Sequence, residues 1–478
     1  MRRKQKTEQS GCQLELKLEV ENPTEAHSIE IPNTTNTDSV NGRKPEQGLL
    51  EAILSVNNMF DAQERVIRNR GSAGIDGMTV EELNGYLIKH YRELCDSIRG
   101  GWYKPKPVKR VEIPKPDGGK RLLGVPTVID RMVQQAMVQI LQPIFEQTFS
   151  ESSYGFRPRR NAHQAIQQAK KYYEEGYTYV IDLDLEKYFD TVNHDLLIKM
   201  VRETVKDEAV IGLVRKFLKS GVMIDGLVSQ TEQGTPQGGN LSPLLSNIYL
   251  TKFDRMLKER GHKFIRYADD CNIYVKSPRA AERVMESCTK FLEGKLKLKV
   301  NRKKSSTGSP TKLKFLGFRL YQWKERIGVL VHEKSLRRFK DRLKAMTSRK
   351  RGGTIEQILG ELTRLIYGWL AYYRIVDMKK YLQGICEWLR RRLRQIYWKR
   401  WKRTRTRQEN LIHLGVTPNK AWQWANTRRS YWCTAGSFIL TTTLNNCYFE
   451  TIGFPNVLKK YEELRERAKR LEILHGTR

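Results

Sequence analysis

Two groups of Asp residues in this chain of 478 residues have the type and spacing for metal-dependent chemistry. Asp269 and Asp270 are adjacent in a short turn between two apolar runs. Asp182 and Asp184 alternate with apolar residues, a strand pattern that places both carboxylates on one face. Carboxylates on an otherwise apolar strand repel one another and lose solvation unless cations neutralise them. These oxygen ligands suit Mg²⁺, and two such ions can assist an in-line phosphoryl transfer.

An ordinary turn is the alternative interpretation of the Asp269-Asp270 pair. Asp is common in turns because its side chain bonds to the local backbone. The second acidic site around Asp184 favours the metal interpretation, since two separate apolar segments then carry paired carboxylates.

The elements that must position these acids are strands and helices in mixed order. The patterns predict strands at 177–185, 263–267, 271–275 and 313–320, and helices at 128–145, 161–175, 195–219, 243–260 and 278–293. A Pro-Asp-Gly-Gly turn predicts a basic β-hairpin that joins 111–113 to 121–125. Because no regular βαβ alternation is present, the predicted fold class is α+β rather than a doubly wound sheet.

The composition predicts a folded protein that binds a polyanion. Lys and Arg number 87 against 53 Asp and Glu, a net charge of +34. Nine Trp, 21 Tyr and 15 Phe are too many for a disordered basic tail. No run approaches the roughly 20 apolar residues of a membrane span. The seven Cys never form a C-x-x-C pair, which predicts reduced thiols and a cytoplasmic location and argues against a zinc module rich in Cys.

The charge is unevenly distributed along the chain. Residues 1–45 hold seven basic and seven acidic residues and are predicted to be a disordered leader. Residues 334–407 hold 23 Lys or Arg and five Asp or Glu, a net +18, on helically spaced apolar and aromatic positions. We expect a basic helical domain there, with RNA binding favoured over a merely solvated surface. The tail after 408 is predicted to mix short helices with a strand at 438–444, rich in Thr.

Several blocks together resemble the group II intron branch of the reverse transcriptases. They are Ser153-Tyr-Gly-Phe-Arg-Pro-Arg-Arg-Asn161, Asp184 with Phe189 five residues later, Gln233-Gly-Thr-Pro-Gln-Gly-Gly-Asn-Leu-Ser-Pro243, Tyr267-Ala-Asp-Asp270, Asn301-Arg-Lys-Lys-Ser305 and Phe315-Leu-Gly-Phe318. The resemblance covers 46–478 and is greatest to the compact bacterial class that lacks an endonuclease domain. It implies a right-hand polymerase with fingers and palm at 46–333, a helical thumb or maturase (X) domain at 334–407 and a DNA-binding domain at 408–478.

The resemblance also implies roles for individual residues. Asp184 and Asp269 resemble the two metal-bridging carboxylates, Asp270 the third, and the Leu185 carbonyl an extra ligand of two Mg²⁺ ions. The residues implied to bind the incoming dNTP are Lys115, Arg121, Phe189, Gln237 and Lys304. Those implied to contact nucleic acid are Arg157, Arg159, Arg160, Gly238, Arg390, Arg391, Arg392, Lys399 and Arg400. The structural alternatives are a solvated basic hairpin for Lys115 and Arg121, a core Phe for Phe189 and a plain basic surface for Lys304.

The activity implied is RNA-directed DNA synthesis, combined with maturase action on a host intron RNA and support of intron mobility. The implied partners are intron RNA, an RNA template with a DNA primer, target DNA and dNTPs, without a membrane. No endonuclease is expected, because the tail lacks paired Cys and catalytic His spacing. Two alternatives are a bacterial reverse transcriptase with a role outside introns and a binding protein whose polymerase has decayed. The oligomeric state does not follow from the sequence.

Overall fold

A computed structural model describes residues 48–114, 119–224, 227–229, 234 and 238–476 of the chain. These residues form two compact units, one ending at Gly328 and the other beginning at Val329. In the described residues, no helix is both long enough and apolar enough to cross a membrane.

The N-terminal unit mixes helices and strands. In chain order its elements are α1 (Leu49–Leu54), α2 (Val56–Arg68), α3 (Leu83–Arg99), β1 (Val108–Pro114), β2 (Lys120–Val125), α4 (Val128–Glu146), α5 (Ala162–Glu174), β3 (Tyr179–Leu183), α6 (Tyr188–Thr191), α7 (His194–Thr204), α8 (Glu208–Leu218), β4 (Val222–Ile224), β5 (Leu227–Ser229), α9 (Ser242–Glu259), β6 (Lys263–Tyr267), β7 (Asp270–Val275), α10 (Pro278–Gly294), β8 (Ser306–Gly308) and β9 (Phe318–Trp323), and the unit boundary falls within β10 (Arg326–Val331).

Two four-stranded sheets organise this unit. One has the order β2-β1-β4-β5 and contains the predicted basic hairpin as the antiparallel pair β1 and β2. The other has the order β6-β7-β3-β8 with antiparallel neighbours throughout. Helix α9 packs in the core and is buried on nearly every face. One sheet is antiparallel throughout and the other contains a single parallel pair, β1 with β4, and this mixture of mainly antiparallel sheets with helices confirms the α+β prediction.

Two predicted elements of this unit differ from the structure. The strand predicted at 313–320 begins only at Phe318, because Leu316 and Gly317 have φ of 49° and 86° and form a tight turn. Phe315 and Phe318 bond to each other's backbone across this turn. The single helix predicted at 195–219 is two helices, since Asp207 caps α8 by accepting from the backbone N–H of Ala209 and Val210.

The C-terminal unit is helical after β10 in the described residues. Its helices are α11 (Glu333–Met346), α12 (Ile355–Tyr373), α13 (Lys379–Arg400), α14 (Thr404–His413), α15 (Pro418–Ala425), α16 (Tyr431–Ala435), α17 (Phe438–Thr443), α18 (Asn446–Thr451) and α19 (Val457–Gly476). A capping box of Thr354 and Gln357 starts α12.

The predicted strand at 438–444 is wrong, because this segment forms α17. Thr is common in strands, yet its hydroxyl can also donate to a carbonyl one helical turn earlier. Thr441, Thr442 and Thr443 do this to the carbonyls of Ser437, Phe438 and Ile439 at 2.9, 2.7 and 2.7 Å. The Thr-rich composition is therefore compatible with a helix here.

Candidate active site

The predicted carboxylates meet at one end of the β6-β7-β3-β8 sheet. Strands β3 and β7 are antiparallel with Leu183 opposite Cys271, so the next residues in register are Asp184 and Asp270. Asp270 is the first residue of β7 and pairs with Tyr267. Asp269 lies in the two-residue turn that joins β6 to β7. The sheet thus brings two acidic segments together that lie far apart in the sequence.

The turn that carries Asp269 is tight and closely packed. Ala268 has φ of +59°, a left-handed conformation that this two-residue connection requires. Gly155 packs directly against it, since a Cβ on Gly155 would lie 2.2 Å from the Ala268 backbone nitrogen. The glycine of the predicted Ser153–Asn161 block is therefore needed for close approach to the acidic turn.

Asp184 is held through its backbone by the Asn301–Ser305 block. Its N–H donates to Ser305 Oγ at 3.0 Å, and its carbonyl accepts from the Asn301 N–H at 2.9 Å. The Lys304 ammonium lies 4.0 Å from Asp184 Oδ2, with 54% of the lysine side chain exposed. The structure therefore places Lys304 at the acidic site.

The pKa of Asp182 reflects its burial and the negative charge of the site. Burial raises the pKa of its carboxyl to about 7, the charges of Asp270 and Asp184 raise it as well, and Lys314 lowers it. On the sheet, Asp182 lies opposite Asn272 of β7 and Ser306 of β8. Three carboxyl groups are therefore close enough to repel one another, and a bound cation would relieve that repulsion.

The residues that follow Asp184 are tightly fixed. Leu185 is buried and forms an isolated bridge with Val300. Phe189 is half-buried, and its ring lies edge-on to Tyr188 with 5.2 Å between the centroids. Gly234 packs on the Phe189 backbone, because a Cβ there would lie 2.8 Å from the Phe189 carbonyl oxygen. This contact places Gly234 directly against the Phe189 segment.

The three Arg of the Ser153–Asn161 block have different environments. The Arg157 guanidinium is buried, bonds to Glu146 and donates to the carbonyls of Ser150 and Ser153. Arg160 is half-buried, pairs with Glu151 and lies over the Tyr154 ring. Arg159 is exposed, with φ of +60°. Arg157 thus anchors this loop from inside, and Arg159 is the most accessible of the three.

The structure describes only some of the residues near the hairpin and the glycine loop that were predicted to bind dNTP or nucleic acid. Lys115 and Gln237 lie outside the described residues, and Arg121 is described only in its backbone, which pairs with Ile113. Gly238 is exposed with φ of +123°, and a Cβ there would lie 2.4 Å from the Gly124 carbonyl oxygen. Gly238 therefore packs closely on strand β2.

Helix α13 carries five cations that were predicted to contact nucleic acid. In the structure they mainly contact protein groups. Arg392 donates to the carbonyls of Lys344 and Thr347 at the end of α11, both at 2.9 Å. The other contacts join Arg391 to the Trp432 carbonyl, Lys399 to the Arg349 carbonyl, Arg400 to the Gly353 carbonyl and Arg390 to the face of the Phe454 ring. These contacts join α13 to neighbouring segments of the C-terminal unit.

Helix α11 exposes a basic face that the sequence reasoning did not single out. It buries Phe339 and Leu343 and exposes the side chains of Lys334, Arg337, Arg338, Lys340, Arg342 and Lys344. We call these six residues the α11 basic face. The signal was present in the sequence, since the apolar stripe at 339 and 343 leaves the remaining positions of this helix to solvent.

Comparisons with known proteins agree with this geometry. The family described as reverse transcriptase (RNA-dependent DNA polymerase) matches residues 113–320, and the family described as group II intron, maturase-specific domain matches residues 336–414. The chain is 36% identical to Protein YkfC of Escherichia coli (strain K12) over 323 residues, 59% of this chain and 85% of that protein.

Two longer relatives are encoded in introns. Group II intron-encoded protein LtrA of Lactococcus lactis subsp. cremoris is 34% identical over 219 residues, 46% of this chain and 36% of that protein. Putative COX1/OXI3 intron 1 protein of Saccharomyces cerevisiae is 34% identical over 223 residues, 46% of this chain and 26% of that protein. The match therefore spans about a third or less of these two relatives.

Proposed function

The chain belongs to the family of group II intron-encoded reverse transcriptases and maturases, and we propose that it copies RNA into DNA and binds its host intron RNA. The observation that carries the catalytic part is the register of β3 and β7, which places Asp184 beside Asp270 and next to the turn with Asp269. The match to a maturase-specific domain at 336–414 supports the RNA-binding part.

The donor set at this site fits Mg²⁺. Among the described residues, no three His, Cys, Asp or Glu side chains already surround one point closely enough to hold a metal ion. Mg²⁺ does not need such a cage, because it is bound by one or two carboxylates together with waters and substrate phosphates. Burial, followed by the charges of Asp270 and Asp184, raises the pKa of the Asp182 carboxyl, which is consistent with mutual repulsion among these carboxylates. We propose that Asp184, Asp269, Asp270 and the Leu185 carbonyl hold two Mg²⁺ ions with the dNTP.

The proposed reaction is a nucleotidyl transfer. The primer 3′-hydroxyl releases its proton to solvent, and its oxygen forms a bond to the α-phosphorus of the dNTP. The bond between that phosphorus and the oxygen bridging to the β-phosphorus breaks, and pyrophosphate leaves. When bound, the two ions would activate the attacking oxygen and neutralise charge on the leaving group. Lys304, 4.0 Å from Asp184, supplies positive charge for the pyrophosphate. Lys115, Arg121 and Gln237 are proposed to bind the incoming dNTP, with the Arg side chain suited to bidentate phosphate contact.

Phe189 is proposed to exclude the ribose 2′-OH of a ribonucleotide. Changing Phe189 to Ala is expected to lower the preference for dNTP over rNTP by about 10- to 100-fold, because the ring no longer occupies that space. The measurement is single-nucleotide addition with dCTP against CTP. Phe189→Tyr keeps the ring and should retain the preference. An unchanged preference in Phe189→Ala would contradict this role.

The C-terminal unit is proposed to bind RNA through its basic surface. We propose a thumb or maturase domain at 334–407 and a DNA-binding domain at 408–478, following the fingers and palm at 46–333. Six exposed cations on α11 suit contacts with phosphates and 2′-OH groups. The proposed partners are intron RNA, template and primer, target DNA and dNTPs, and no endonuclease activity is proposed.

A cytoplasmic location is proposed from the state of the thiols. The six Cys in the described part of the chain are free, and four of them are buried. Disulfides persist mainly in oxidising compartments, so a chain with free thiols suits a reducing one.

Primer extension tests the proposed polymerase and its metal requirement together. A DNA primer annealed to RNA is incubated with the purified chain, the four dNTPs and Mg²⁺. Extension should stop when EDTA removes the metal and resume when Mg²⁺ is restored in excess. No extension under any of these conditions would contradict the proposed activity.

A further inference from the structure

A fully buried polar cluster lies directly behind the turn that carries Asp269. Arg266, Asp254 and Asn247 form this group, which we call the Arg266 cluster, and all three residues have 0% exposure. Arg266 Nε and Nη2 donate to the two carboxylate oxygens of Asp254 at 2.8 and 2.7 Å. Its Nη1 donates to Asn247 Oδ1 at 2.9 Å. The cluster joins strand β6 to helix α9.

The same guanidinium reaches the acidic turn. Arg266 Nη1 also donates to the Ala268 carbonyl at 2.9 Å. Ala268, whose backbone is in the left-handed conformation, immediately precedes Asp269. This bond therefore fixes the peptide group between Ala268 and Asp269, on which the direction of the Asp269 side chain depends.

The cluster also fixes the segment that precedes Arg157 and Arg159. Asn247 Nδ2 donates to the Gly155 carbonyl at 2.9 Å. The backbone of Arg266 adds two bonds. The Arg266 N–H donates to the Ser152 carbonyl at 2.9 Å, and the Arg266 carbonyl accepts from the Tyr154 N–H at 2.8 Å. Segment 152–155 is thus bonded to the Asn247 side chain and to the Arg266 backbone, and the acidic turn is bonded to the Arg266 side chain, which itself donates to Asn247.

A core ion pair that only stabilises the fold is the alternative. Such a pair gains little over apolar residues of similar volume, because both charges lose their hydration. Its remaining N–H groups would also need acceptors, but any nearby buried carbonyl would serve. The bonds to the Ala268 and Gly155 carbonyls end on the backbone of the acidic turn and of the Arg-bearing loop, which favours a positioning role.

We propose that Arg266, held by Asp254 and Asn247, is a positioning residue that fixes the Ala268–Asp269 turn against segment 152–155. Its effect is to orient the Asp269 carboxylate for metal binding. This inference rests on the proposed polymerase function and goes beyond it, since it assigns a role to three residues that do not touch substrate. Groups that orient a metal ligand in this way commonly change metal affinity or activity by 10- to 100-fold when they are removed.

Asn247→Ala is the variant of choice, because it removes the bonds to Gly155 and to Arg266 while the ion pair with Asp254 remains. Thr251→Val is the matched control. Thr251 is also buried on α9, one turn later, but its hydroxyl bonds only to the Asn247 carbonyl of its own helix in the contacts described, at 2.8 Å. Arg266→Lys is a second variant that keeps the charge beside Asp254 and loses the planar fork.

Three readouts separate positioning from general destabilisation. In Asn247→Ala, the half-saturating Mg²⁺ concentration for primer extension should rise about 10-fold, with partial recovery in Mn²⁺ and little change in the KM for dNTP. Mn²⁺ binding to the protein alone, followed by electron paramagnetic resonance, should weaken in parallel. Hydrogen exchange should accelerate together at the amides of Tyr154 and Arg266. Thr251→Val should match the wild type in all three.

The outcomes distinguish this inference from the proposed function. Wild-type Mg²⁺ dependence, Mn²⁺ affinity and exchange in Asn247→Ala would overturn the positioning role, as would equal effects in Thr251→Val. An inactive wild type would instead contradict the polymerase, and Mn²⁺ binding and exchange would still decide the role of the cluster. If Arg266→Lys does not fold, Asn247→Ala carries the test.

Discussion

Replacing Asp184 by Asn is expected to slow nucleotide addition by about a thousandfold or more, which corresponds to a loss of about 4 kcal/mol of transition-state stabilisation. The amide keeps the shape of the side chain and removes the negative charge that holds the metal. The fold should survive, because the bonds to Ser305 and Asn301 involve the Asp184 backbone. The measurement is the single-turnover rate of the first addition to a primer on RNA.

Asp195→Asn is the matched control for this change. Asp195 is on α7 of the same unit, and its side chain is 87% exposed. The control should retain wild-type rate, and both variants should retain wild-type affinity for RNA. If Asp184→Asn keeps more than about a tenth of the wild-type rate, less than about 1.4 kcal/mol has been lost and the metal-binding assignment is wrong.

The second large effect is expected on RNA binding. Replacing Lys334, Arg337 and Arg338 of the α11 basic face by Ala should weaken binding and make it less sensitive to salt. Each lost phosphate contact removes about one counterion from the salt dependence, so the slope of log K against log salt should become shallower by up to about 3. The measurement is binding of a structured RNA by the full chain over a series of salt concentrations.

A charge-matched control separates local contacts from net charge. Replacing Arg279, Arg283 and Lys290 by Ala removes the same charge from exposed positions of α10 in the other unit. This control should keep a slope close to that of the wild type. Equal losses in the two triple variants would contradict a specific role for the α11 basic face.

The acidic hairpin was predictable because local sequence signals are sufficient for it. Two apolar runs predict β6 and β7, and the adjacent Asp269 and Asp270 between these runs predict the tight turn. The juxtaposition with Asp184 was expected only through the resemblance, since strand pairing between residues far apart does not follow from local patterns. The register of Leu183 with Cys271 supplies that information.

Arg266 and the α13 cations show what sequence patterns miss. A charged residue within Phe264-Ile-Arg-Tyr267 gives no indication of its partner, because Asp254 and Asn247 come from a helix that precedes the strand. Arg390 to Arg392 suggested an RNA-binding surface, yet Arg391 and Arg392 donate to carbonyls of neighbouring segments. A cation's sequence neighbours do not show whether it faces solvent or an unsatisfied carbonyl.

Sequencing of the extension product tests the central claim most directly. The wild-type chain is given a DNA primer on an RNA template of defined sequence, with Mg²⁺ and all four dNTPs, beside Asp184→Asn at the same concentration. The account predicts that the wild type adds the DNA complement of the RNA and that Asp184→Asn adds almost nothing. Untemplated additions, no product from the wild type, or equal templated product from both proteins would contradict it.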